Sequence, residues 1–169
     1  IDATWVRRWM WKEKWVIRSR LCGRGFLDNQ KWAVDRHSCT AARVSQIMIV
    51  SICQCEPDFE AESWGILSAF LQGLQFSELS ERSRELGLDV REEREVYIAP
   101  PANVWRHLRN LSSEFSEIPT DQEHLYVLEC VKPVPGLIDA PLLWQAALTL
   151  HIKDHLAGKR ALLGETCFV

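Results

Sequence analysis

Apolar and small residues between Thr40 and Cys55 recur at steps of three and four: Ala41, Val44, Ile47, Met48, Ser51, Ile52 and Cys55. That period predicts a helix with one face in the core, and Thr40 is placed to cap its start. The segment from Lys14 to Phe26 follows a different rhythm. Lys-Trp-Val-Ile-Arg-Ser-Arg-Leu-Cys-Gly-Arg-Gly-Phe alternates as a strand does, with Gly23 and Gly25 loosening its end. The chain thus mixes helical and strand periods within its first third.

Further elements follow in order. Phe59 to Leu67 reads as a central strand after Glu56-Pro57-Asp58 ends the helix. Phe76 to Leu86 reads as a short amphipathic helix, with Ser77 to cap it and Gly87 to end it. Glu95 to Pro101 is a strand stopped by two prolines. Asn103 to Leu108 adds a helical turn, Leu111 to Glu123 is a polar connection, and Leu125 to Pro133 is another strand. Pro141 to Leu156 is a helix with an apolar side formed by Leu142, Trp144, Leu148, Ile152 and Leu156, and Gly158 follows it. Glu165 to Val169 closes the chain as a strand-like end. With Ile1 at one end and Cys167-Phe168-Val169 at the other, the expected object is a fragment of something longer.

The charge is divided unevenly along the chain. Residues 1–43 carry ten Lys/Arg against four Asp/Glu, while residues 44–169 carry ten against nineteen. Such a basic portion suits phosphate contacts or, equally, a solvated basic surface. In the opening, Trp5, Trp9, Trp11 and Trp15 interleave with Arg7, Arg8, Lys12 and Lys14. Aromatic rings stack on bases and cations neutralise phosphates. Trp5 and Trp9 also fit one helical face, and core packing or a strand edge is the preferred reading of the tryptophans.

The six cysteines, at 22, 39, 53, 55, 130 and 167, show no Cys-x-x-Cys spacing and read as reduced core thiols. His37 with Cys39, and His151 with His155 in His-Ile-Lys-Asp-His, fall short of zinc-site patterns. No apolar run reaches the roughly 20 residues that span a membrane. The expected location is therefore intracellular, cytoplasmic or nuclear, with no membrane partner.

Four blocks, in order, resemble the reverse transcriptase domain of copia-type LTR retrotransposons. Arg20, Leu21, Arg24, Gly25 and Phe26 match a fingers strand of the form Lys-Ala-Arg-Leu-Val-Ala-Arg-Gly-Phe. Ser68-Ala69-Phe70-Leu71-Gln72-Gly73 matches the turn after the family's first metal-binding aspartate. Glu95-Val96-Tyr97-Ile98-Ala99-Pro100-Pro101 is similar to Glu-Val-Tyr-Met-x-Gln-Pro-Pro. Gly136, Leu137, Ala140, Pro141 and Trp144 match Leu-Tyr-Gly-Leu-Lys-Gln-Ala-Pro-Arg-x-Trp. The resemblance covers about residues 14–169, leaving 1–13 as a basic, Trp-rich lead-in.

The resemblance implies an α+β fold, the fingers and part of the palm of a polymerase, with helices packed on a short, mainly antiparallel sheet. It implies RNA-directed DNA polymerisation on an RNA template and DNA primer with deoxynucleoside triphosphates, through two Mg²⁺ ions. By the same resemblance Arg18, Arg20, Arg24, Phe70, Gln72 and Gly136 are expected to contact nucleotide or template. The departures bear on activity. Gly65 stands where the family's aspartate is expected, and the Tyr-x-Asp-Asp hairpin is missing. Asp58, Glu60 and Glu62 alternate away from the face of position 65 along a strand. Ile138, Asp139 and Leu142 replace Lys, Gln and Arg, and Asp139 is expected to cap the following helix. The expectation is a chain without an intact catalytic residue or bound Mg²⁺. Its other readings are a residual nucleic-acid-binding module or a decayed retroelement product with no selected role.

Overall fold

The computed structural model describes residues 1–31, 43–58, 65–82, 84–86 and 94–156. Within these the chain is mixed α and β, with four helices and two small antiparallel sheets. The first sheet is a hairpin of β1 (Ala3–Lys12) and β2 (Lys14–Gly23). Its tip is the palindrome Trp11-Lys12-Glu13-Lys14-Trp15, so the register pairs Trp11 with Trp15 and Lys12 with Lys14. Glu13 turns the chain with a left-handed φ of 58°. The Trp-rich opening and the strand after it are therefore the two arms of one element, and the helical alternative for Trp5 and Trp9 is corrected. Alternating β-branched and aromatic residues on both arms favour the extended backbone over a helix.

The other sheet is shorter than its sequence suggests. β3 (Tyr97–Ile98) pairs with β4 (Leu128–Glu129) in antiparallel register, and the Cys130 amide donates to the Val96 carbonyl at 2.8 Å. A 3₁₀ turn, Glu123–Leu125, occupies the start of the strand expected from Leu125. Pro133, which has no N–H, stands at that strand's expected end. Residues 1–3 run alongside β3: the Ala99 amide donates to the Ile1 carbonyl at 2.8 Å and the Ala3 amide to the Ala99 carbonyl at 3.2 Å. The root of the hairpin is thereby fixed to the body.

The core gathers Phe76, Leu79, Leu86, Val96, Ile98, Leu137 and the inner face of α4 (Ala140–Leu156). On α4 that face is Ala140, Leu142, Leu143, Ala146 and Leu150, while Trp144 is half-buried and Leu148 exposed. The helix is rotated from the side expected to be apolar. Two small alanines allow close approach to the body, which a face centred on Trp144 does not. α2 (Phe76–Arg82) is capped at its start by Glu78, whose carboxylate accepts from the Gln75 amide at 2.7 Å, rather than by Ser77. α3 (Ala102–Leu111) follows Pro101 and buries Trp105 edge-on to Phe115. The expected polar connection begins within α3 and continues as a 3₁₀ turn, Ser113–Ser116.

α1 (Arg43–Cys55) forms where its period predicts but is not in the core. Val44, Ile47, Ile49, Val50 and Ile52 are exposed, and none belongs to the core cluster. The period fixed the helix; a partner surface, which periodicity does not encode, is what burial requires. Of the expected central strand, residues 59–64 lie outside the described residues, and Gly65 and Ile66 are irregular backbone leading into a turn. The strand-like end at 165–169, Gly87, Gly158, His37 and Cys39 also lie outside them.

Candidate nucleic-acid interface

Strand alternation sorts the hairpin into two faces. On one face the register sets Val6 opposite Arg20, Arg8 opposite Arg18, Met10 opposite Val16 and Lys12 opposite Lys14. Arg8, Lys12, Lys14, Arg18 and Arg20 thus share a side of a two-stranded ribbon, and all five are exposed. Like charges placed directly across a strand pair repel. Among the described residues none of the five is paired with a carboxylate. On the other face stand Trp5, Arg7, Trp9, Trp11, Trp15, Ile17 and Leu21. Trp5 is half-buried and its Nε1 donates to Asn103 Oδ1 at 3.2 Å, tying the ribbon to α3. Of the two preferred readings for the tryptophans, core packing does not hold for Trp9, Trp11 and Trp15, which are exposed, while a place on a strand of a two-stranded ribbon does.

Arg18 and Arg20 therefore have companions that the sequence did not single out with them: Arg8, Lys12 and Lys14. The signal was available in the palindrome around Glu13, which fixes the parity of both arms. Arg24 behaves differently. It lies beyond β2, and its guanidinium pairs with Asp2 at the ribbon's root, so its charge is already met.

The remaining expected contacts are not brought to this face. Phe70 lies in a 3₁₀ turn, Ala69–Gln72, and packs partly buried against the core. Gln72 is exposed, with Nε2 donating to the Leu67 carbonyl at 2.7 Å. Gly136 has a φ of +100°, and a Cβ there would overlap the Gly23 carbonyl oxygen; the Gly23 amide in turn donates to the Pro135 carbonyl at 2.9 Å. A Cβ on Gly25 would overlap the Gly136 carbonyl. These glycines knit the ribbon's root to the loop before α4, a packing reason for their identity.

Mg²⁺ requires hard, anionic oxygen ligands. Gly65 supplies none, although a Cβ there would meet nothing within 4 Å. Among the described residues no group of three or more His, Cys, Asp and Glu could hold a metal ion. The donor set of the described residues does not fit the two-metal chemistry. His151 and His155 are neighbours, ring centroids 4.8 Å apart, without a third ligand among the described residues. Cys22, Cys53, Cys55 and Cys130 are free thiols, and burial pushes the Cys130 thiol up. Asp139 does not cap α4 with its carboxylate as expected. It sits before the helix, buried, and pairs with Arg94, which also pairs with Asp28.

No helix among the described residues is long and apolar enough to cross a membrane. Comparison with protein-family models, curated proteins and solved structures finds no match to this chain.

Proposed function

We propose that this chain is a reverse-transcriptase-like fragment of a retroelement that holds nucleic acid through the β1–β2 hairpin and carries out no nucleotidyl transfer. The observation that carries the reading is the opposition of Arg8 to Arg18 and of Lys12 to Lys14 on one exposed face, with Arg20 beside them. Such a face repels itself until an anion lies across it. A phosphodiester backbone is an anion of the required length, and guanidinium groups meet its oxygens in pairs. The RNA template, DNA primer and nucleotide remain the ligands that the resemblance implies.

The test is binding of a labelled oligonucleotide followed by fluorescence anisotropy. Affinity is expected to fall with salt at a log–log slope of about −3 to −5, the range for five phosphate neutralisations. Charge reversal at Arg8, Arg18 and Arg20 is expected to abolish binding. Salt-insensitive binding, or none at low salt, ends the proposal. Mg²⁺-dependent primer extension above a heat-killed control ends its inactive half.

A second reading is a decayed product with no selected role. It is favoured by α1, whose Val44 is 68% and Ile47 55% exposed. It predicts broad, uncooperative thermal unfolding, and a single cooperative transition counts against it.

A further inference from the structure

Five cations on one face account for phosphates but not for the opposite face of the same ribbon. There Trp9 is 63%, Trp11 61% and Trp15 65% exposed. An exposed cluster of indoles is not a solubilising surface and marks a binding site. We propose that this tryptophan face stacks on the unpaired bases of a nucleic-acid strand, so that the hairpin's ligand is single-stranded rather than duplex. The proposal rests on the nucleic-acid reading above and deepens it by naming the substrate class.

Same-side residues along a strand are about 6.8 Å apart. That is twice the ~3.4 Å spacing of successive nucleotides in a stacked strand, so the backbone positions of Trp9 and Trp11 repeat at the spacing that one inserted base requires. Trp15 meets Trp11 edge-to-face, centroids 5.5 Å apart at 72°, which leaves ring surface uncovered. Base planes are offered by a single strand and hidden in a duplex. The ribbon is two-stranded, so long side chains of the cationic face can reach round its edges to phosphates while the bases lie on the indoles. Arg7, between Trp5 and Trp9, adds a cation on the stacking side itself.

Charge selects among the possible occupants. Residues 4–22 hold six Lys/Arg and one acid, Glu13. Two ribbons stacked through their tryptophan faces would set the two Arg7 side chains against each other and leave the five cations of the outer face unmet, whereas an anionic strand meets the cations of both faces.

The experiment titrates the intact chain with labelled thymidine and uridine dodecamers and with a duplex of the same length, at two salt concentrations. The single strands are expected to bind at least about tenfold more tightly than the duplex, and alike, because stacking reads the base plane and not the 2′ hydroxyl. The double variant Trp9→Val, Trp11→Val is expected to lose about tenfold or more in single-strand affinity while duplex affinity stays within about twofold. In the unsubstituted chain, the single strand is expected to shield tryptophan emission from acrylamide, a readout independent of whether the variant folds. Equal affinity for both forms, a preference above about tenfold for one sugar, or no shielding overturns the stacking proposal and leaves phosphate binding standing. No binding of any oligonucleotide overturns both. A dimer in sedimentation, or adsorption to anionic vesicles, that the Trp variants abolish while single-strand affinity is unchanged gives the face to another occupant and also overturns it.

Discussion

Arg94 donates through Nη1 to Asp139 Oδ2, two residues 45 apart in sequence, and through Nη2 to Asp28 Oδ2. The three side chains are only 11%, 5% and 9% exposed respectively, so one guanidinium holds two carboxylates out of water. The bridge ties the loop after the hairpin to the residue before α4. Removing one partner of a buried pair leaves a charge desolvated and uncompensated, at about 3–5 kcal/mol. Arg94→Met strands two carboxylates and is expected to cost at least that much in urea unfolding. Asp28→Asn, which leaves Arg94 its bond to Asp139, is expected to cost less. Equal losses would show that Arg94 does not centre the group.

The acid dependence follows from the same site. Burial, the larger effect, raises the Asp139 carboxyl above its ordinary 3.8, and Arg94 only partly offsets it. Asp139 Oδ1 has no hydrogen-bond partner. A group whose folded value exceeds its unfolded one binds protons more tightly when folded. Its stabilising contribution is complete below about pH 3.8 and is lost as pH rises through the raised folded value. Relative to Asp139→Asn, the unsubstituted protein is therefore expected to gain stability as pH falls from neutral toward 4. Parallel stability–pH curves for the two would remove Asp139 as the source.

The root of the hairpin makes a third prediction. Gly136 combines a φ of +100° with contact against the Gly23 carbonyl oxygen. An added methyl meets backbone there, which cannot rotate aside, and the left-handed region adds its own penalty. Gly136→Ala is expected to lose about 3 kcal/mol or more in chemical denaturation. Gly65→Ala, at an open position, is expected to change stability by less than about 0.5 kcal/mol.

What could be read from the sequence divides along physical lines. Local order was legible: β2, α1 and α4 lie close to where their periods put them, because hydrophobic spacing acts within one element. Non-local pairing was not. Nothing in the chain marks Arg94 as the partner of Asp28 and Asp139, and nothing near α1 tells whether its apolar residues are covered. The candidate site was half legible. Arg18 and Arg20 stood out, but the placing of Arg8 on their face depends on a register set by the tip at Glu13. Gly136 was expected for a ligand and is found against Gly23, since a glycine needed for close approach looks the same in sequence whatever approaches it.

Glu13 offers the sharpest separation of backbone from charge. Its φ of 58° is in the region where a side chain costs roughly 1–2 kcal/mol and glycine does not. It is also the only acid between residues 4 and 22, set among six cations that its charge partly offsets. Glu13→Gly is expected to stabilise the fold by about 1 kcal/mol, raising Tm by about 2–4 °C, and to tighten oligonucleotide binding by removing the carboxylate. Glu13→Ala removes the same charge but keeps a Cβ in the left-handed turn. It is expected to tighten binding equally without raising Tm. If both variants raise Tm alike, the turn is not strained at Glu13; if neither tightens binding, phosphates do not reach the tip of the ribbon.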